Sequence, residues 1–369
     1  MTRILFFLKS LSGGGAERTV LNVVNHLDRT RFEPVLALSS ASGPYMSLLR
    51  DDVRVEELGG SRVRYGIWAL ARAIRRLRPA LAFATLQQGN VALQLAAALS
   101  VTGVRTVLRE SNYQSLPGVR RPWARERAVR WAYGRASHVV ALSNGVNEDL
   151  RARYGVSAKR VVTIYNPVEI EEIGHLAAAE PEGGAPPPGG GFHVVGAGRL
   201  TRQKGFDLLI RALARLDAVP WRLTLLGDGP DRGALEDLAR TLGVGERVSM
   251  PGFVDNPYAW MARADLFVLS SRWEGFGHVI VEAMAGGTAV LATRCPAGPD
   301  EIITDGVDGR LCAPDSVEAL AQALEALAGA PEERRRLAEA ARSSCRRFDA
   351  RVIVPQYEQL FESVLAGGA

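Results

Sequence analysis

Short apolar runs alternate along this chain with longer stretches in which apolar positions return every third or fourth residue. In the first half the runs are RILFFL at 3–8, EPVLALS at 33–39, ALAFAT at 80–85, TVLRES at 106–111 and HVVALS at 138–143. In the second half they are FHVVGAG at 192–198, RLTLLG at 222–227, RVSMPG at 247–252, LFVLSS at 266–271 and AVLATR at 289–294. FDLLIRALARL at 206–216 and SVEALAQALEALAG at 316–329 carry the helical period. Apolar strands separated by amphipathic helices predict parallel sheets covered by helices. The series runs twice, broken by EPEGGAPPPGGG at 180–191, where proline removes backbone donors and glycine adds chain entropy. The prediction is an α/β protein of two Rossmann-like, doubly wound domains facing each other across a cleft. At 369 residues the chain can fill two cores, since a single one rarely grows past about 250–300 residues.

Composition narrows the class. The apolar run at 4–8 is too short for a signal core or a spanning helix, so neither export nor membrane crossing is expected. Cys295, Cys312 and Cys345 form no CxxC pair, which disfavours a disulfide framework and a zinc site and fits a reducing cytoplasm. The net charge of +5 averages two unlike halves: residues 1–165 hold 25 basic against 11 acidic side chains, and the remainder 20 against 29. A basic half points to an anionic partner. Only three of the 45 basic residues are lysines, so an arginine-rich coding sequence explains the surplus equally well.

Ligands on such sheets bind beyond the carboxyl ends of the strands, and four loops there carry candidate chemistry. In SLSGGGAERTVLNV, residues 10–23, Gly14 and Gly15 let backbone approach a ligand ahead of a helix N-terminus that favours an anion. The pattern is not GxGxxG, which disfavours a nicotinamide cofactor. In GAGRLTRQKGFDLLIRAL, residues 196–213, Arg199 and Lys204 lie five residues apart between the strand and the helix and could grip one diphosphate. LLGDGPDRGALEDLA, residues 225–239, turns at Gly227 and could flank a nucleoside or be a plain turn. SSRWEGFGHVIVEAMAGG, residues 270–287, places Glu274 in a loop and Glu282 in a helix starting near His278. On one helix the two would stand about 12 Å apart, too far for the roughly 5–5.5 Å pair of a retaining glycosidase. Two carboxylates accepting hydroxyls along an extended ligand, with Gly275, Phe276 and Gly277 donating backbone N–H to phosphate between them, fit better. His26, His138, His175 and His193 are scattered at element edges and read as structural.

These motifs resemble glycosyltransferase family 4, a retaining GT-B family. GRLTRQKGFDLLIRAL, LLGDGPDRGALEDLARTLGVGERVSMPGFVDN, ADLFVLSSRWEGFGHVIVEAMAGGTAVLATRCPAGPDEII and DGVDGRLCAPDSVEALAQAL match it in order over 195–325. The first half is similar through GGGAERTVLNV and YNPVEIEEI, which in that family marks the crossover between domains. RESN at 109–112 and CPAGPDEI at 295–302 resemble the branch building lipopolysaccharide cores and lipid-linked oligosaccharides, often from UDP-sugars.

The resemblance implies roles. Glu274 would hold donor-sugar hydroxyls, Glu282 the ribose, and Arg199 with Lys204 the diphosphate. Gly14, Gly15, Gly227, Val254, Gly275, Phe276 and Gly277 would complete the donor site, without a divalent metal or other cofactor. Many relatives place a histidine near the reacting centre of the first domain; RESNYQS has none, leaving Glu110, Ser111 and Asn112 as acceptor-side candidates. The implied boundaries are an acceptor-binding domain at 1–166, a linker at 167–191, a nucleotide-sugar domain at 192–348, and a helix at 349–369 crossing back to the first domain. Arg120, Arg121, Trp123, Arg125 and Arg127, with the stretch 62–79, read as an arginine–tryptophan surface for an anionic leaflet. Nucleic acid finds no reading motif. The expectation is a cytoplasmic transferase, peripheral on the inner face of the membrane, moving a sugar from a nucleoside diphosphate to a lipid-linked or polysaccharide acceptor. A sugar-nucleotide epimerase or a non-catalytic nucleotide-sugar or membrane-binding protein remains as the alternative.

Overall fold

The computed structural model describes residues 1–59, 63–115, 122–181 and 191–367. The chain divides into two compact units, Met1–Val168 with Ala350–Ala369, and Glu169–Asp349.

Unit 1 is built on a seven-stranded parallel sheet of β1 (Thr2–Leu8), β2 (Phe32–Leu38), β3 (Arg54–Glu57), β4 (Leu81–Thr85), β5 (Arg105–Glu110), β6 (His138–Ala141) and β7 (Val161–Thr163). Their order is β3-β2-β1-β4-β5-β6-β7, so the winding reverses between β1 and β4. The central strands are buried on both faces because helices cover each side, which is why they read as unbroken apolar runs. The helix Ala350–Ala366 lays Ile353, Val354, Tyr357, Phe361 and Val364 into this core. There Phe6 and Phe83 lie 5.4 Å apart, and Phe361 meets both edge-on.

Unit 2 repeats the plan with six strands: β8 (Phe192–Ala197), β9 (Trp221–Leu226), β10 (Val248–Gly252), β11 (Leu266–Leu269), β12 (Val290–Thr293) and β13 (Arg310–Cys312). The order β10-β9-β8-β11-β12-β13 reverses between β8 and β11. Helices Phe206–Leu213 and Val317–Ala328 bury Leu209, Ile210, Leu213, Leu320 and Leu324 against it.

The ten apolar runs are strands, whereas β3, β7 and β13 lie at or next to sheet edges and escape the pattern because they are short and half-exposed. One boundary is corrected. The stretch 167–191 is not all linker: Ile170–Ala177 is a helix of unit 2, and the units divide at Val168. Asn256 caps it by donating to the Leu176 carbonyl at 2.8 Å, and Arg263 pairs with Glu180 at 2.8 Å, so tertiary contacts hold residues that follow a short apolar period. The glycine–proline run itself, 182–190, lies outside the described residues.

Candidate functional site

The reversal point of unit 2 brings together the loops that follow β8 and β11. Gly205 has φ +62°, and a Cβ there would stand 2.1 Å from the Ser270 carbonyl oxygen, so only glycine lets the two loops touch. Side chains then lock them. Ser270 Oγ donates to the Lys204 carbonyl at 2.9 Å, Gln203 Nε2 donates to the Trp273 carbonyl at 3.0 Å, and the Arg272 backbone N–H donates to the Gln203 carbonyl at 2.8 Å. Arg272 forks onto both Asp207 oxygens at 2.7 and 2.8 Å and reaches Asp315 at 2.9 Å. Burial raises the Asp207 carboxyl, but the Arg272 guanidinium outweighs it and holds the group below the usual range.

This scaffold positions Glu274, which is only 6 % exposed. Lys204 Nζ donates to its Oε1 at 2.6 Å, and Ser271 Oγ donates to the same oxygen at 2.7 Å. Lys204 and Glu274, given separate tasks by the sequence, thus form one ion pair, with Arg199 exposed on the same loop. Gly277, at φ +96°, opens the helix His278–Ala285 where the spacing predicts, and Phe276 is buried against Phe348. Gly298, at φ +99°, seats the loop after β12 on Phe276; its Cβ would fall 2.1 Å from the Phe276 carbonyl oxygen. Glu282 is half-buried on that helix, Gly227 follows β9, and Val254 is half-buried after β10. Cys295 follows β12, and burial, together with the Glu274 charge, pushes its thiol up to about 12, so it is no nucleophile. His193 instead bonds Thr224 at 2.9 Å within the sheet, the structural part its position suggested.

Unit 1 has its own concavity at the β1/β4 reversal, a cavity of about 510 Å³. Lys9, Ser12, Glu17, Gln88, Asn112 and Arg125 are among the residues that line it. Gly14 is the N-cap of the helix Gly15–His26, with the Glu17 carboxylate beside it. Glu110, also on the wall, is 1 % exposed and accepts five hydrogen bonds: Tyr133 at 2.6 Å, Gln87 at 3.0 Å, Gln114 at 3.1 Å, and the Ser111 and Asn112 backbone N–H at 2.9 and 3.2 Å. Burial nevertheless pushes its carboxyl up. Its neighbour Arg109, 1 % exposed, donates to Thr85 at 3.0 Å and to Asn166 of the crossover segment. Ser111 Oγ, also on the wall, is buried without a hydrogen-bond partner.

The arginine–tryptophan surface resolves unevenly. Arg120 and Arg121 lie outside the described residues. Trp123 is 73 % exposed, with Arg127 stacked over its ring at 5.7 Å. Arg125 turns to the cavity, donating to Gln87 Oε1 at 3.0 Å, which orients that amide toward Glu110. Among the described residues no helix is long and apolar enough to cross a membrane, and no group of three metal-binding side chains is arranged to hold an ion.

Sequence reasoning missed Ser271, Gln203, Arg272 with Asp207, and the donors around Glu110. Ser271 had a signal, the Ser-x-x-Glu spacing; the others meet their partners only through long-range packing.

Two Rossmann-like parallel-sheet units with glycine-rich turns at both reversal points define a GT-B fold. The comparisons then give the family. Residues 185–344 match the family model described as glycosyl transferases group 1, and residues 13–172 match glycosyltransferase family 4. Both halves of the chain thus match family models of glycosyltransferases, the first half that of family 4. It is 30% identical over 221 residues to the Campylobacter jejuni N-acetylgalactosamine-N,N'-diacetylbacillosaminyl-diphospho-undecaprenol 4-alpha-N-acetylgalactosaminyltransferase, covering 59% of this chain and 58% of that one. It is 39% identical over 171 residues to the lipopolysaccharide core biosynthesis glycosyltransferase LpsE of Rhizobium meliloti, covering 46% and 49%. The matched stretches thus span between about half and three-fifths of these curated relatives. Among solved structures, HepE of Anabaena in complex with UDP and glucose superposes with a TM-score of 0.82 at 25% identity, covering 98% of this chain and all of that one.

Proposed function

We propose that this protein transfers a hexose or N-acetylhexosamine from a nucleoside-diphosphate sugar, a UDP-sugar by preference, to a lipid-linked or polysaccharide acceptor, with retention at the anomeric carbon. The observation that carries the reading is the Lys204–Glu274 pair at the unit 2 reversal point, at 2.6 Å, beside exposed Arg199 and the helix that opens at Gly277. A buried carboxylate with one oxygen occupied suits a sugar hydroxyl. The two cations and the backbone N–H groups of Gly275 to Gly277 suit a diphosphate, whose departure they would favour electrostatically without a metal. Glu282, eight residues on, suits the ribose. Retention and the UDP preference lean on the family and on HepE, described with UDP and glucose. The acceptor class leans on relatives named for diphospho-undecaprenol and lipopolysaccharide-core substrates.

Incubation with UDP-, GDP- and ADP-sugars, with and without polyprenyl-diphosphate oligosaccharide and with EDTA throughout, tests this. Nucleoside diphosphate release that requires the acceptor, with product of unchanged anomeric configuration by NMR, is expected. Isomerisation of the sugar nucleotide without acceptor would make the protein an epimerase, and binding without turnover a non-catalytic carrier. Work at a membrane surface is part of the proposal, supported by exposed Trp123 and its stacked Arg127. Anionic vesicles should co-sediment the protein at low salt and release it as screening grows, and neutral vesicles should not.

A further inference from the structure

We infer that Ser271 is a positioning residue for the donor sugar: it acts through Glu274, fixing which carboxylate oxygen faces the ligand. The inference rests on the reading of Glu274 given above and goes beyond it. Ser271 is fully buried, so its hydroxyl cannot itself reach a ligand. That hydroxyl donates to Glu274 Oε1 at 2.7 Å, the oxygen Lys204 also occupies at 2.6 Å. Both protein donors therefore converge on one oxygen, and Oε2 is left as the acceptor for a sugar hydroxyl. A carboxylate bound by lysine alone can rotate, because an ammonium is a point charge that can donate to either oxygen. A second donor from a different direction removes that freedom. Ser271 is itself anchored: its carbonyl accepts from Thr293 Oγ1 at 2.5 Å, on β12, so its hydroxyl is aimed by the sheet rather than by the loop. Ordering Glu274 in advance spares the ligand that entropy, which is the gain expected of preorganisation.

The test compares Ser271→Ala, Ser271→Cys and Ser271→Thr with Glu274→Gln in the full chain, using whichever UDP-sugar turns over and UDP itself as the binding probe. Cysteine keeps the Cβ–XH shape, with a somewhat larger atom, while replacing a strong donor with a weak one, so together with alanine, which is smaller, it separates loss of the hydrogen bond from a change of packing in one direction. Alanine and cysteine are expected to lower kcat/KM for the UDP-sugar by about tenfold, the scale of one charge-assisted hydrogen bond. UDP affinity by calorimetry and the thermal midpoint should stay near wild type, and threonine should restore turnover. In the Glu274→Gln background, Ser271→Ala should add little, because both changes disable one unit. Equal loss of UDP affinity, or full additivity with Glu274→Gln, would overturn the positioning role and leave the reading of Glu274 intact. A silent Glu274→Gln would instead sink the reading of the site, and this inference with it.

Discussion

Two buried carboxylates stand near the reversal points of the two sheets, and their hydrogen bonding differs in kind. Glu110, at the end of β5, has five donors spread over both oxygens. Glu274, beyond β11, has two donors, both on Oε1. A carboxylate offers about four lone-pair sites, so Glu110 has nothing left for a ligand, and Glu274 keeps half its capacity. Burial alone does not mark a binding group; unused hydrogen-bonding capacity does. By that measure Glu110 is framework, stiffening the wall that carries Ser111 and Asn112.

The largest effect that would break the comparison is on folding. Glu110→Ala strands several buried donors and should destabilise the protein by about 3 kcal/mol or more, read as a lower urea midpoint. A variant as stable as wild type would show that Glu110 is not framework. Glu274 strands fewer donors when removed, Lys204 and Ser271 alone, so Glu274→Ala should cost less stability than Glu110→Ala while transfer is lost. Next come the cations: Arg199→Ala and Lys204→Ala should each cut turnover about 10²-fold, and the double variant should fall by less than the product because both serve one diphosphate. Independent, mild losses would divide the site. A smaller effect separates the unit 2 carboxylates. Glu282→Ala should weaken UDP binding, whereas Glu274→Ala should spare UDP and damage transfer; equal effects on both ligands would erase the assigned roles.

The smallest effects are in pH dependence, where the signs are opposite. Burial raises the Glu110 carboxyl, so its contribution is fully present below its ordinary value and is lost as pH rises through the folded one. The stability of Glu110→Gln relative to wild type should therefore improve as pH climbs from about 4.5. Asp207 is held low by Arg272 against its burial, so its contribution is present above its ordinary value and fades as pH falls through the folded one. The deficit of Asp207→Asn should shrink below about pH 3.8. Thermal melts across pH read both slopes, and parallel slopes would contradict the contrast.

The sequence by itself determined the two sheets, the strand ends where chemistry is placed, and the helix start at His278. These follow from apolar period, glycine and loop length, which are local quantities. It also placed Glu274, Lys204 and Arg199 on loops that follow strands, and the strand order of the folded sheet then brought those two loops together. Tertiary structure alone decided how those groups are used. Lys204 meets Glu274 across 70 residues of sequence, Ser271 takes its aim from β12, and Glu110 collects Gln87 and Tyr133 from helices 23 residues away on either side. The helix within 167–191 likewise belongs to unit 2 through its packing, with Ile173 buried and Asn256 donating to the Leu176 carbonyl. Hydrogen-bond saturation is a sum over neighbours from distant segments, and no local pattern of residues encodes such a sum.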